Sequence, residues 1–415
     1  MFIDEVLAAQ KRGEAIGIVS ICSAHPWVLK AAMQKTAGLL LIGATCNQVN
    51  QFGGYTGMTP ADFVTYVRGI AEENNFPFEN IILGGDHLGP LVWQDEPAEL
   101  AMAKAEVLVR NCVEAGFVKI HLDCSMPLAD DPKGALDVEI SAERTARLAK
   151  IAEGVGNKGL RYVIGTEVPV PGGAMEHEEG VSVTKVENVQ QTIEVTREAL
   201  LSQGLAEAWE RVIAVVVQPG VEYGDDFVLS YQPENAKELS HFIESQSMVC
   251  EAHSTDYQTR QALKNLVRDH FAILKVGPAL TFAFREAVFA LAMMENELFP
   301  SHERSNVIAV LDEVMVANPE HWLKYYHGSE TERAFKRKYS LSDRIRYYWT
   351  HPMVQQAFDK MLGRLHQKPL PATLLRQYIS DVYSMVAQAG AVRPEQVLLA
   401  KIQNVLDDYD QACNP

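Results

Sequence analysis

The sequence has fewer positively than negatively charged residues, and it lacks long apolar runs. Its 415 residues hold 37 lysines and arginines against 54 aspartates and glutamates, a net charge of −17. Because this surplus repels nucleic-acid phosphates, we expect no nucleic-acid partner. No run approaches the roughly 20 apolar residues of a membrane-spanning helix, so we expect no membrane partner. The first segment, MFIDEVLAAQKRGEAIG, favours an amphipathic helix with acidic residues over a signal peptide.

The chain also lacks two common motifs. Its six cysteines form no CxxC pair, so we expect reduced, mostly buried thiols and a cytoplasmic protein. There is no GxxxxGK[ST] loop for nucleotide phosphates, so no nucleotide cofactor is expected.

What the sequence does contain is eight short apolar runs separated by stretches of helical spacing. Such alternation favours parallel strands with covering helices, and eight units predict a (β/α)8 TIM barrel. A doubly wound sheet is the alternative, but the turn after the first run is SAHP rather than a glycine-rich turn. The runs span residues 16–22, 39–45, 81–87, 119–125, 161–168, 211–218, 247–253 and 271–278.

After residue 286 the spacing is helical only. We therefore predict a TIM barrel over residues 1–285 and an all-helical C-terminal domain over 286–415. The basic, aromatic segment 327–349 packs on the barrel, meets a partner, or forms a solvated helix pair. The candidate C-terminal helices span 286–298, 306–317, 341–348, 352–365, 374–388 and 394–413.

Polar residues follow most of the apolar runs, at the end where a barrel holds its active site. His87 and His253 are candidate metal ligands, because neutral imidazole suits zinc, with Glu167, Gln218 or His121 as a third ligand. Hydrogen-bonded structural histidines are the alternative.

Four carboxylates lie at the same strand ends: Asp86, Asp123, Glu167 and Glu251. Burial raises the pKa of a carboxyl group unless a cation is near. A carboxyl group beside a metal can move protons on a sugar hydroxyl, so the four are candidate catalytic groups. The alternative is that they hold lysines or arginines in a network at the mouth.

Phosphate binding has weaker support. Its candidates are Gly53-Gly54, Ser254-Thr255 and the turn 277–281, which opens a helix after the last strand. Lys275 suits either a Schiff base or a core lysine paired with a carboxylate. The predicted substrate-binding residues are Ser23, His25, Asn47, Gln48, His121, Ser254, Lys275 and Thr281.

Long motifs over nearly the whole chain resemble the GatZ/KbaZ family. They are CSAHP at 22–26, NQVNQFGGYTGM at 47–58, LGGDHLGP at 83–90, KIHLD at 119–123, VIGTEVPVPGG at 163–173, VQPGVE at 217–222, EAHSTDYQT at 251–259, LKVGPALTF at 274–282 and YSLSDRIRYYW at 339–349. The resemblance implies a class II aldolase-like barrel and a non-catalytic Z-type subunit of tagatose-1,6-bisphosphate aldolase. Such a subunit supports the activity and stability of a catalytic class II Y-type subunit, in galactitol or N-acetylgalactosamine catabolism. The implied partners are that subunit, further subunits of an oligomer and a phosphorylated ketohexose.

The resemblance also bears on single residues. Asp86-His87 matches the Asp-His pair of class II aldolases, in which Asp donates a proton and His binds zinc, and His253 resembles a later zinc ligand. Gln218 and Gly277-Pro278-Ala279 depart from that pattern, which argues against aldol cleavage by this chain alone. Gly43 and Cys46 stand where the family leads us to expect Glu and Ser, and the lost carboxylate weakens an epimerase-type activity.

Three hypotheses follow. The first is the non-catalytic aldolase subunit. The second is a stand-alone 4-epimerase of tagatose 6-phosphate that uses a divalent metal, zinc or manganese, since some relatives are metal-dependent epimerases. The third and remote one is a tagatose 6-phosphate kinase, a name the family once carried. Only the tetrapeptide Phe52-Gly-Gly-Tyr55 supports it in the sequence.

Overall fold

A computed structural model describes residues 2–166, 181–387 and 390–414 of the chain. Eight parallel strands close into a barrel in chain order, with the last strand pairing with the first. This confirms the predicted TIM barrel, and each apolar run coincides with one of its strands, β3 extending one residue beyond its run. The strands are β1 Ile18–Ile21, β2 Leu40–Thr45, β3 Ile81–Leu88, β4 Lys119–Leu122, β5 Arg161–Ile164, β6 Val212–Val217, β7 Val249–Ala252 and β8 Phe271–Val276. A short antiparallel hairpin after β6, which the sequence did not predict, pairs Glu222–Tyr223 with Val228–Leu229.

Helices alternate with the strands and continue beyond them. The first ten are α1 Phe2–Lys11, α2 Pro26–Lys35, α3 Pro60–Glu73, α4 Ala98–Ala115, α5 Val138–Gly154, α6 Val186–Ser202, α7 Ala206–Trp209, α8 Pro233–Glu244, α9 Arg260–Arg268 and α10 Pro278–Leu298. The C-terminal ones are α11 Val307–Ala317, α12 Glu330–Tyr339, α13 Pro352–Leu365, α14 Ala372–Tyr378, α15 Tyr383–Ala387 and α16 Pro394–Cys413. None of the helices in the described part of the chain combines the length and apolar character that a membrane crossing requires.

The N-terminal end of the barrel is closed and apolar. Ile3 and Val6 of α1 pack against Ile18, Leu41 and other inward side chains of the strands. Asp4 of α1 forms an ion pair with Arg161 at the start of β5, with Nε and Oδ1 2.6 Å apart. In barrels of this fold the functional site lies at the opposite end, where the strands finish.

The C-terminal helices pack directly on the barrel. The backbone N–H of Gly17 donates to the carbonyl of Cys413 at 2.9 Å, and the Tyr409 hydroxyl donates to the carbonyl of Thr255 at 2.8 Å. The predicted boundary between residues 285 and 286 falls inside α10, whose first turn begins at the barrel mouth. The division into two domains stays a prediction.

The predictions for two C-terminal helices were wrong. Residues 341–348 form only a short 3-10 helix, Arg344–Tyr347, because Asp343 adopts a left-handed backbone conformation (φ 45°) and its carboxylate is held by Thr281. The stretch 374–388 contains the end of α14 and a separate α15 rather than one helix. In both places tertiary contacts override helical spacing.

Candidate active site at the barrel mouth

The interior of the barrel carries a layer of buried charges. The Lys119 ammonium lies 2.7 Å from Asp86 Oδ1 and 2.6 Å from Glu251 Oε2, and all three side chains are fully buried. Lys275 Nζ lies 3.4 Å from Asp86 and 4.0 Å from Glu251. Two ammonium groups thus face two carboxylates, and we name these four residues the ionic layer.

Asp86 and Lys119 of the ionic layer remain charged at neutral pH. Burial alone would raise the pKa of Asp86, but Lys119 and Lys275 hold it well below its usual value. Burial alone would lower the pKa of Lys119, but Asp86 and Glu251 raise it. These two charges are retained because their neighbours compensate them.

Three histidines lie directly above, and we name them the histidine layer. The rings of His87, His121 and His253 have centroids 4.9 to 5.4 Å apart, and each side chain is at most 5% exposed. Carboxylates hold two of them: His87 Nδ1 lies 2.8 Å from Asp123 Oδ2, and His253 Nε2 lies 3.0 Å from Glu251 Oε1. The third, His121, accepts at Nδ1 from the backbone N–H of His87 at 3.2 Å.

Strand geometry explains how the two layers arise from the same strands. On β4 and β7 the pairs Lys119/His121 and Glu251/His253 are two residues apart, the spacing at which side chains share one face of a strand. Asp86 and His87 are consecutive and would normally point to opposite faces. The pairing of β3 with β4 shifts register between Gly85 and Leu88, and His87 has φ 51°, so both side chains turn into the barrel.

Burial keeps the three imidazoles neutral. It lowers the pKa of His87 and brings those of His121 and His253 well below the usual value, and the positive charge of Lys275 acts in the same direction. A neutral imidazole has one donor and one acceptor nitrogen. His87 and His253 each donate to a carboxylate and keep the lone pair of the other nitrogen. His121 accepts at Nδ1, so its proton lies on Nε2, which has no hydrogen-bond partner among the described residues.

These lone pairs fit a divalent metal ion. The three histidines each offer a nitrogen within 4.8 Å of the others. His87 and His253 have the donor state that a ligand needs and a carboxylate behind each ring, the arrangement that orients metal-binding histidines. His121 presents an N–H instead and suits a hydrogen bond to a substrate oxygen. Asp86 and Glu251 also lie near His121, but both already pair with Lys119.

A cavity of two chambers opens at the mouth, and most of the predicted residues line it. The inner chamber, of about 110 Å³, is lined by Asn47, Gln48, His87, His253, Ser254 and Lys275 among others. The outer chamber, of about 340 Å³, is lined by Ser23, His25, Gln48 and Thr281 among others. His121 and Asp123 lie buried beside His87. The residues that line both chambers are Cys22, Gln48, Tyr55, Gly277, Pro278, Arg346 and Tyr347.

Two further predicted metal ligands were Glu167 and Gln218. Glu167 lies outside the described residues, so its role as a ligand stays a prediction. Gln218 Oε1 accepts from the backbone N–H groups of Gly220 at 2.8 Å and Val221 at 3.0 Å, so this amide holds a turn after β6. The described residues therefore bring together the two histidines of the predicted set without Gln218.

Sequence reasoning missed Asp256 and the role it plays. Its Oδ1 accepts from the backbone N–H groups of Gly277 at 3.0 Å and Ala279 at 2.8 Å, at the start of α10. The helix N-terminus that we expected to cradle a phosphate is already filled by this carboxylate. Burial raises the pKa of Asp256 to about 6.

Gly43 makes room for the ionic layer. A Cβ at this position would overlap Asp86 Oδ2 and approach Ser20 Oγ. The space of a side chain at position 43 is thus occupied by Asp86, whose Oδ2 also accepts from the Cys22 thiol at 3.3 Å. All six cysteines are unpaired, and Cys22 alone among them is partly exposed.

The fold and the site together define a (β/α)8-barrel protein whose mouth carries neutral histidines backed by carboxylates. The family model of D-tagatose-1,6-bisphosphate aldolase subunit GatZ/KbaZ-like proteins matches residues 3–414, and the chain belongs to this family. It is 52% identical to the D-tagatose-1,6-bisphosphate aldolase subunit GatZ of Klebsiella pneumoniae and 51% identical to that of Salmonella typhimurium, over 99% of each chain. A crystal structure of "a probable tagatose 6 phosphate kinase" from Sinorhizobium meliloti 1021 is 46% identical, with a TM-score of 0.88 over 96% of this chain and 100% of that one.

Proposed function

We propose that this chain is the Z-type subunit of a D-tagatose-1,6-bisphosphate aldolase and is non-catalytic in aldol cleavage. Full-length similarity to proteins named as GatZ subunits carries the proposal, at 52% identity over 99% of the chain. Its role is to support the activity and stability of a catalytic class II Y-type subunit. The pathway is galactitol or N-acetylgalactosamine catabolism, and the cavity takes a phosphorylated ketohexose.

The test is reconstitution with a class II Y-type aldolase. Cleavage of D-tagatose 1,6-bisphosphate is measured for the Y-type subunit alone and after addition of this chain, together with the thermal unfolding temperature of each mixture. We expect higher activity and a higher unfolding temperature in the mixture, at a fixed stoichiometry. Unchanged activity and stability at saturating amounts of this chain would refute the proposal.

Within this function, we assign roles to the described residues of the mouth. His87 and His253 hold a divalent metal, zinc or manganese, with Glu167 as the predicted third ligand. Such an ion, when bound, polarises the oxygens of a sugar. Asp123 and Glu251 orient the two histidines and are positioning residues. His121 Nε2–H donates to a substrate oxygen, and Asp86, held by Lys119, is a charged group of the layer beneath.

A second candidate function is a stand-alone 4-epimerase of D-tagatose 6-phosphate. The unpartnered His121 Nε2–H beside two imidazole lone pairs favours it, because buried donors are rarely left unpaired without a use. The purified chain is incubated with zinc or manganese and D-tagatose 6-phosphate, and D-fructose 6-phosphate is followed by NMR. Turnover that is lost in His87→Ala would establish the epimerase, and absence of turnover would eliminate it.

The kinase hypothesis has little support in this chain. The sequence contains no GxxxxGK[ST] loop. The kinase description belongs to the Sinorhizobium meliloti structure. A search for ADP formation from ATP and D-tagatose 6-phosphate is the corresponding test.

A further inference from the structure

Arg346 brings a cation from the C-terminal part of the chain to the barrel mouth. It lies in the short 3-10 helix Arg344–Tyr347 and lines both chambers of the cavity. The histidine layer borders the inner chamber. A ligand that reaches the histidines therefore shares the cavity with this guanidinium.

The guanidinium is fixed in place by neutral groups. Nη1 donates to the backbone carbonyls of Ser342 and Asp343, and Nη2 donates to the Tyr347 hydroxyl at 2.9 Å. Tyr347 in turn packs edge-on against Tyr55 on the facing loop, with ring centroids 4.7 Å apart. Within residues 2–166, 181–387 and 390–414, no carboxylate forms an ion pair with Arg346, so acidic groups act on its charge only from beyond contact distance.

The nearest carboxylates are committed elsewhere. Asp256 Oδ1 accepts from the N-terminus of α10, as described above. Asp343 accepts from the Thr281 hydroxyl at 2.6 Å and from Arg285 Nε at 3.2 Å. Both acidic groups contribute to the field around Arg346, yet neither contacts it.

Lys275 Nζ faces the two carboxylates of the ionic layer but has no hydrogen-bond partner among the described residues. Two other candidate anion sites of the mouth are already satisfied. The N–H of Gly54 donates to Asn50 Oδ1, and the Thr255 hydroxyl donates to the carbonyl of Lys275. Arg346 differs from Lys275 in that no carboxylate of the described residues lies in ion-pair contact with it, so its charge is the more available to an incoming anion.

We propose that Arg346 binds the phosphate monoester of the ligand, so that the C-terminal segment completes the barrel site and selects phosphorylated over free sugars. Arginine suits this task because its planar fork of donors matches phosphate oxygens. The identity of the sugar rests on the proposed function, whereas phosphate binding by Arg346 does not.

The test compares Arg346→Gln and Arg346→Lys with the unmodified chain. Dissociation constants are measured by calorimetry for D-tagatose 6-phosphate, D-tagatose and inorganic phosphate. Arg68→Gln is the matched control, since it removes an exposed guanidinium that stacks on Phe78, 3.8 Å from the ring centre. Circular dichroism and thermal unfolding establish that each variant is folded.

We expect the unmodified chain to bind D-tagatose 6-phosphate more tightly than D-tagatose. Arg346→Gln should raise the dissociation constants of the sugar phosphate and of inorganic phosphate by about tenfold to a hundredfold, which corresponds to the loss of one charge-assisted contact. Arg346→Lys should retain part of the affinity, and Arg68→Gln should retain all of it. Binding of inorganic phosphate without preference for the sugar phosphate would still place the anion at Arg346 if Arg346→Gln abolished it.

Equal affinity of folded Arg346→Lys, Arg346→Gln and the unmodified chain for D-tagatose 6-phosphate would overturn the proposal. So would the absence of phosphate binding by the unmodified chain. The outcome is separable from that of the aldolase reconstitution. Arg346-dependent phosphate binding without stimulation of a Y-type subunit would refute the proposed function alone. Stimulation without phosphate binding would refute this inference alone.

Discussion

The ionic layer and the histidine layer are neighbours in the barrel, yet they differ in what is left unsatisfied. Strands β3, β4 and β7, with the residues directly after them, each supply one residue to the ionic layer and a different one to the histidine layer. In the ionic layer two ammonium groups face two carboxylates, and Lys119 bridges both acids. In the histidine layer, His87 and His253 line the cavity and each keeps a lone pair, and the buried N–H of His121 has no partner among the described residues.

The difference shows how burial serves two purposes in one barrel. Buried charges persist only where opposite charges compensate them, so the ion pairs of the ionic layer support the structure. Buried neutral imidazoles keep a lone pair that an external ligand can use. The ionic layer therefore positions the histidine layer, through Glu251 and the bulge that follows Asp86, and we propose that the histidine layer binds the ligand.

The largest expected effect comes from breaking the ionic layer. Lys119→Met leaves Asp86 and Glu251 buried with only the more distant Lys275, so the free energy of unfolding should fall by about 3 to 5 kcal/mol. Urea denaturation measures it. The control Lys158→Met removes an exposed lysine paired with Glu207 and should cost less than about 1 kcal/mol.

A matched triple variant tests the cause of that loss. Asp86→Asn and Glu251→Gln, added to Lys119→Met, remove the uncompensated charges and should recover part of the lost stability. If the triple variant is less stable than Lys119→Met, charge compensation is not what Lys119 provides.

The next largest expected effect is on the pH dependence of stability, through the buried carboxylate of Asp256, which forms no ion pair with a lysine among the described residues. The pKa of Asp256 is about 6 in the folded protein against an ordinary 3.8. Between these values the unfolded chain loses the proton while the folded chain keeps it. This group therefore lowers the free energy of unfolding as pH rises from about 4 to about 6, by about 3 kcal/mol in total.

Asp256→Asn keeps an amide oxygen for Gly277 and Ala279 and removes the titration. Its unfolding free energy should lack this fall between pH 4 and pH 6, as measured by urea denaturation at several pH values. The exposed Asp226→Asn is the control and should follow the unmodified chain. Parallel curves for Asp256→Asn and the unmodified chain would contradict the assignment.

A smaller effect is expected behind the histidine layer. Asp123→Asn replaces the carboxylate that fixes the His87 ring, so the affinity for zinc or manganese should fall about tenfold to a hundredfold. Competition with a chelating dye measures the affinity. Unchanged affinity would show that Asp123 has no part in orienting His87 as a ligand.

The sequence predicted which strands and strand-end residues form the site better than it predicted the orientations and partners of their side chains. Eight apolar runs located the eight barrel strands, and residues at their ends located His87, His253 and Asp123, because parallel strands must bring their ends together. Regular alternation could not predict that Asp86 and His87 both face inward, since this depends on a bulge in β3. Lys119 stood at the start of an apolar run and gave no sign of its partners.

Long-range contacts account for the remaining differences. Arg346 lies far along the chain in a segment predicted as helix, and only the packing of Asp343 on α10 brings it to the mouth. We predicted that the turn 277–281 binds a phosphate, but its backbone N–H groups at Gly277 and Ala279 donate to Asp256 instead. Gln218 holds a turn because its side-chain oxygen accepts from the backbone N–H groups of Gly220 and Val221, which follow it in the chain.

Metal content tests the contrast between the two layers most directly. The chain is dialysed against zinc or manganese and analysed by mass spectrometry, beside His87→Ala, His253→Ala and the control His241→Ala, whose side chain is 86% exposed. We predict about one ion per chain in the unmodified protein and in His241→Ala, and about a hundredfold or greater loss of affinity in the other two variants. Absence of metal from the unmodified chain, or equal metal in all four proteins, would contradict the account.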